Sequence, residues 1–343
     1  MRLPAFLLGT ALFASLPGPA EAQRPPTPAT PAPATTPARP HPAIWLLSDA
    51  DTKIYLFGTY HLLPRGFSWR SPLFDSITRH AEELVVEIAN VASDRNAAAM
   101  REQMQIGKQA PLAWRVSPAR RAALHEMIAA LGVREDAFDG LQTWVAAMTL
   151  GMAPTMRHML AERPESRSGT APDGPTARST EADSPADARS AERQFAALGV
   201  EGQLEAEFAS RNRPISGVET VAQQMAAFGS MSFADQRAML ESLVDAYRFG
   251  GAKATQVATV TDAGEGDWAL GRVEVMDAMA LSMRGPLYNA LLRDRNRAWT
   301  DWRGARLARP GTLLFAVGAA HLAGPDSVVR LLGARGFHVR RIQ

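Results

Sequence analysis

Two stretches of this chain share one pattern, and that pattern limits what the chain can fold into. Tyr55-Leu56-Phe57-Gly58-Thr59-Tyr60-His61-Leu62 is an apolar run that meets a glycine and, three positions later, a histidine. Leu314-Phe315-Ala316-Val317-Gly318-Ala319-Ala320-His321-Leu322 repeats it near the other end. Runs of Val, Leu and Phe without polar alternation suit strands covered on both faces. A glycine at the strand end lets the backbone turn sharply or come close to a ligand. In open α/β sheets, ligands sit beyond the carboxyl ends of the strands. If the two strands are neighbours, His61 and His321 project from one rim. The alternative is a satisfied histidine at each strand end. With only seven histidines in the chain, two in matching contexts weigh against it.

Around these strands the chain divides by composition. Arg2, the apolar stretch Leu3 to Leu16, the break at Pro17-Gly18-Pro19 and Ala20-Glu21-Ala22 have the layout of a secretory signal over 1–22. The apolar stretch falls short of the ~20 residues that a membrane helix needs. This predicts a periplasmic or secreted protein with no stable membrane insertion once the signal is cleaved. Residues 23–42 are rich in Pro, Ala and Thr and read as an extended linker. The folded domain is expected over 43–343, interrupted by a Ser/Pro/Ala/Asp/Arg-rich disordered insertion at about 165–190.

Within the domain, Ala43–Leu47 and Thr52–Gly58 flank a polar turn and predict a hairpin. Ser71-Pro72 opens a helix to about Ala81, and Glu83–Ile88 is a strand with Glu87 near its carboxyl end. A carboxylate there faces solvent or meets a cation, a metal or a histidine. Ser117 is the expected N-cap of a helix to Leu131, and another helix runs from about Glu135 towards Leu160 with a Met-rich core stripe. Arg213–Gly217 predicts a short strand, and Val218-Glu219-Thr220 the start of a helix with Glu219 in its first turn. Helices are expected over Asp235–Tyr247, Lys253–Thr261, Asp267–Met283 and Pro286–Leu307. On the last, Arg295 and Asn296 lie at the edge of a buried stripe. Gly324-Pro325-Asp326 starts a helix to Ala334, and Phe337–Ile342 closes the chain as a strand.

Composition removes several function classes. The net charge is +2 with no Lys/Arg run, so nucleic acid is not an expected partner. There is no cysteine, which excludes disulfides, thiolate metal sites and a cysteine nucleophile. His-Glu-x-x-His is also absent.

Together these pieces resemble the TraB/GumN family, related to the TIKI proteins, which are regarded as metal-dependent proteases. The matching residues are Gly58-Thr59-Tyr60-His61-Leu62-Leu63-Pro64, Val85-Val86-Glu87, Gly217-Val218-Glu219-Thr220, Arg295-Asn296 with Trp299, and Val317-Gly318-Ala319-Ala320-His321-Leu322 with Gly324. The chain departs from the family pattern at Glu201, where aspartate is usual, and at Ala320, where glycine is common. The resemblance implies an α/β fold: a central mixed, largely parallel sheet flanked by many helices, in two related halves that each carry a strand-Gly-x-x-His motif. It also implies one site holding both histidines and the acids.

On that basis the leading expectation is a metal-dependent, peptidase-like hydrolase acting on a peptide or small-molecule substrate. Imidazole and carboxylate donors suit a divalent ion such as Mn, Co or Zn. His61 and His321 are the expected ligands, with Glu87 or Glu219 completing the shell and the other acid serving as general base. Arg295 is expected to stabilise an oxyanion, with Asn296 orienting it. Two alternatives stay open: a metal-free hydrolase with His61 and Glu87 as a general base pair, and a peptide-binding protein without turnover.

Overall fold

The structure, a computed structural model, describes residues 39–61, 63–64, 66–91, 93–161, 199–255, 264–282 and 285–343. The signal-like leader, the expected linker up to residue 38, the expected insertion and Leu62 of the first motif lie outside the described residues.

The strands are β1 (Ile44–Ser48), β2 (Thr52–Thr59), β3 (Glu83–Val86), β4 (Ile215–Gly217), β5 (Gly311–Gly318) and β6 (Val339–Arg341). They form one mixed sheet in the order β4-β3-β5-β2-β1-β6. Its inner pairings, β2 with β5, β5 with β3 and β3 with β4, are parallel, while β1 pairs antiparallel with β2 and β6. The α/β sheet expected from the apolar runs is therefore present, and β2 and β5 are neighbours. Their register sets Gly58 opposite Val317 and Thr59 opposite Gly318. β3 continues the series on the far side of β5, so Glu87, one residue past the strand, emerges at the same rim.

Both faces of the sheet are covered, which explains the missing alternation. Leu314, Ala316 and Phe57 pack with Phe74 and Ile77 of α1 (Pro72–His80) and with Val200, Leu204 and Phe208 of α2 (Val200–Ser210). Leu313, Phe315 and Val317 pack on the other face with Trp299 of α3 (Asp294–Leu307) and with Val328 and Leu332 of α4 (Val328–Ala334). A helical layer closes the carboxyl rim. Ile88 and Ala320, just past β3 and β5, share a cluster with Met100, Trp144, Met148, Met225 and Phe228, so the methionines are core.

Several helix boundaries depart from the sequence reading. Ser71 caps α1 as expected, accepting from the Phe74 amide at 3.1 Å. Ser117 caps nothing: a 3-10 turn at Pro118–Arg120 intervenes before the helix Arg121–Leu131, and the serine hydroxyl accepts from Arg120 instead. Glu135–Phe138 is likewise a 3-10 turn, and the long helix begins at Thr143. The expected helix Asp267–Met283 is broken at Gly271, which has φ +64° and is packed against the His41 carbonyl. The long helix after Pro286 contains a π turn at Asn289–Arg293. α4 starts at Val328 behind Ser327, whose hydroxyl accepts from the Arg330 amide, not at Gly324. The helix Phe233–Thr255 runs through Tyr247 without a stop, and residues 256–263 lie outside the described residues. Among the described residues, no helix is long and apolar enough to cross a membrane.

Candidate functional site

Five chain segments meet at the carboxyl rim. Glu87 follows β3. Glu219 follows β4 and precedes α5 (Val221–Gly229), whose N-cap is Thr220, so Glu219 is not the first-turn acid that the sequence suggests. His321 lies in the 3-10 turn Ala319–Leu322 after β5. Arg295 and Asn296 open α3 directly after the π turn. A π turn inserts one residue into a helix and rotates the residues beyond it, and such turns recur at functional sites. His61 completes the set from the loop after β2.

Arg295 is the hub. Its Nη2 reaches Glu87 Oε2 and Glu219 Oε1 at 2.5 Å each, and its Nε lies 3.1 Å from both Glu219 oxygens. Nη1 donates to the Leu291 carbonyl at 3.0 Å and lies 3.3 Å from His321 Nε2. A guanidinium carries five N–H donors, and here all five are engaged. Arg295 thus has no donor left for an oxyanion, the role expected of it, and acts instead as the buried counter-charge of two acids. Those acids push its pKa up despite burial.

The two acids differ. Burial acts against the Glu87 carboxylate, but Arg295, His321 and His61 outweigh it and hold the pKa at about 2. Glu87 Oε1 also accepts the Gly318 amide at 2.9 Å. Burial is the largest influence on Glu219 and pushes it up, against the pull of Arg295. Its oxygens accept from Arg295, from Trp299 Nε1 at 3.1 Å and from Gln224 Nε2 at 3.1 Å. Every one of these partners is a donor, which suits the ionised form. The same Gln224 nitrogen stands 3.4 Å from Glu87 Oε2. Gln224 is buried, and sequence reasoning missed it. Its one local signal is the Thr220/Gln223 capping box, which fixes where α5 begins and hence which residue faces inward.

The histidines have assignable tautomers. Asn296 Nδ2 donates to the Asp326 carbonyl at 2.9 Å, so its oxygen faces His321 Nδ1 at 2.6 Å and that nitrogen carries the hydrogen. In the neutral ring His321 Nε2 then presents a lone pair, 3.3 Å from Arg295 Nη1 and 3.5 Å from Glu87 Oε1. Asn296 therefore orients His321, not Arg295. His61 Nδ1 stands 2.8 Å from Glu201 Oε1, in the first turn of α2, and Thr59 Oγ1 donates to the same oxygen. Burial lowers the His61 pKa, but Glu201 and Glu87 outweigh it and the net direction is up.

The two motif glycines do different things. A Cβ on Gly58 would stand 2.8 Å from Ala319 Cα, so this glycine lets the turn that carries His321 lie flat on β2. A Cβ on Gly318 would stand 3.1 Å from both His61 Nε2 and Glu87 Oε1. The bare Cα of Gly318 thus leaves open the space that these two atoms border. The structure brings together His61, Glu87, Glu219, Arg295, Asn296 and His321, although their sequence positions span most of the domain. Among the described residues, no three His, Asp or Glu side chains already stand in the arrangement of a metal site.

In sequence, the match to known proteins lies at the level of the family. No curated protein and no solved structure matches the chain. The model of the TraB/PrgY/gumN family matches residues 43–173 and 175–341, which take in every residue of the site just described, and the chain belongs to that family.

Proposed function

We propose that this chain is a metal-dependent hydrolase of peptide-like substrates, acting in the periplasm or after secretion, with His61, His321 and Glu87 as the metal donors. One observation carries the reading. His61 Nε2 and Glu87 Oε1 both border the space beside the bare Cα of Gly318, and His321 Nε2 stands 3.5 Å from the same carboxylate oxygen. The acids point the same way: one guanidinium, Arg295, faces two buried carboxyl groups, Glu87 and Glu219, and a third, Glu201, stands beside His61. Nitrogen and oxygen donors with two imidazoles suit Zn, Mn or Co. Glu219 does not fit the donor set, because Arg295, Trp299 and Gln224 already engage its oxygens.

When bound, a divalent ion would supply Lewis acidity and a water of lowered pKa. The chain's own residues do the rest. Glu219 anchors Arg295, and Arg295 keeps Glu87 ionised and fixed. Asn296 holds the hydrogen of His321 on Nδ1. Gln224 ties the two acids together. The helical layer over the rim excludes bulk water, which strengthens each of these interactions.

A metal-free hydrolase is the second reading. It is favoured by the Arg295 Nη1 contact to His321 Nε2, which already places a cation against one of the lone pairs. The test is cleavage of a mixed peptide library, read by mass spectrometry, with protein stripped of metal and reloaded with Zn, Mn or Co. New peptide ends that need the metal and vanish in Glu87→Gln support the proposal. Cleavage that survives chelation selects the metal-free hydrolase, and no cleavage under any loading selects a binding protein.

A further inference from the structure

The outward-facing nitrogen of His61 has a partner of a different kind from that of His321. The His321 Nδ1 hydrogen goes to a neutral amide oxygen, while His61 Nδ1 meets the Glu201 carboxylate at 2.8 Å. Three close approaches join the start of α2 and Glu201 to the segment around His61. Thr59 Oγ1 donates to the very oxygen that faces the ring. The Val200 amide donates to the Tyr60 carbonyl at 3.0 Å, so the first turn of α2 is stitched to the backbone next to His61. Gly199 lies so close to His61 that a Cβ would overlap the His61 carbonyl. The start of α2 therefore abuts the His61 backbone, and a side chain from its first turn reaches the ring. Any acid in a helix's first turn also gains from the helix dipole, which would hold for Glu201 without a role in the site.

We propose that Glu201 is a positioning residue for His61: its carboxylate keeps the hydrogen on Nδ1 and thereby presents an unprotonated Nε2 towards Glu87. Free imidazole in water favours the opposite tautomer, with hydrogen on Nε2, which could not act as a donor. An acceptor on the outer nitrogen of a ligating histidine fixes both tautomer and ring orientation, and its loss typically costs about 10–100-fold in metal affinity. The inference rests on the reading of His61 as a ligand. Its first consequence, the tautomer, is visible without any metal.

The test is the ring nitrogen spectrum of His61 in metal-free, isotopically labelled full-length protein at a pH where the ring is neutral, with Zn2+ affinity measured by chelator competition. Wild type should show hydrogen on Nδ1. Glu201→Gln keeps an oxygen that Thr59 and His61 can share, and should keep that tautomer. Glu201→Leu removes the acceptor. It should move the population towards hydrogen on Nε2 and weaken Zn2+ by about 10–100-fold. A helix-dipole role alone would leave the ring spectrum of Glu201→Leu unchanged, and that result overturns the proposal. Hydrogen on Nε2 in wild type overturns it as well, and so does loss of the Nδ1 tautomer in Glu201→Gln, so the proposal can fail even where the leucine variant does not fold. Failure of wild type to bind Zn2+ would count against the proposed function, while the tautomer readings would still decide the role of Glu201.

Discussion

The segments Gly58–His61 and Gly318–His321 look alike in sequence and serve the site differently. Gly58 is a packing glycine, pressed against the backbone of the second motif's turn, whereas Gly318 keeps open the space between His61 and Glu87. The His321 side chain is 1% exposed and packs on Trp299 at 4.3 Å between ring centres, while that of His61 is 13% exposed and paired to a carboxylate. One motif forms the floor of the site and the other its rim. Matching sequence grammar thus marks where two strands end, and tertiary neighbours decide what each end does.

The largest effect comes from removing the group that ties the whole cluster together. Arg295→Met leaves Glu87 and Glu219 buried without a counter-charge and should cost about 3–5 kcal/mol in denaturant unfolding. A loss below about 1 kcal/mol would mean that the acids are better solvated than the geometry implies.

The same substitution in the two glycines separates their roles. Gly58→Ala meets backbone at 2.8 Å and should destabilise by about 1–3 kcal/mol. Gly318 has φ −47° and ψ 134°, which any residue adopts, so Gly318→Ala should fold with little loss. Its methyl would instead crowd His61 Nε2 and Glu87 Oε1 and abolish metal uptake. Equal stability losses in the two variants would erase the distinction.

The histidines make a gentler comparison. His321→Ala removes a buried ring and should cost about 2–3 kcal/mol, against about 1 kcal/mol for His61→Ala. Thermal unfolding of both reads the difference directly.

The smallest expected effect lies beside the rim. Burial raises the Glu205 pKa, Glu201 adds to it, and the Asn90 amide works against it. An acid with a raised folded pKa favours the fold while protonated. That stability is present below its unfolded pKa and fades as pH rises through the folded pKa. Glu205→Gln keeps the acceptor for Asn90, so it should raise Tm slightly at pH 7 and leave it unchanged at pH 4.

Much of this was legible in the chain. The hairpin and the Ser71-Pro72 helix start follow from apolar runs and turn chemistry, which are local, while the largely parallel sheet was implied by the family resemblance. The positions of His61, Glu87 and His321 at one rim follow from strand ends. What could not be read depends on distant neighbours. Gly271 ends a helix at φ +64°, and the His41 carbonyl and Arg341 stand in the space that a side chain there would need. Glu219 is the exception, since the Thr220/Gln223 capping box that starts α5 just after it is a local signal. Arg295 loses its free donors only when β3 and β4 both deliver an acid to it. The contact between Glu201 and His61 spans 140 positions and exists only once α2 docks on the loop after β2.

The central claim is that His61, His321 and Glu87 share one ion. Metal stoichiometry by elemental analysis, measured after loading for wild type and His61→Ala alongside thermal unfolding, tests it most directly. The account predicts one divalent ion per wild-type chain and none in a His61→Ala variant that still unfolds cooperatively. A wild type that takes up no divalent ion under any loading condition would contradict it, and so would a His61→Ala variant that keeps its ion.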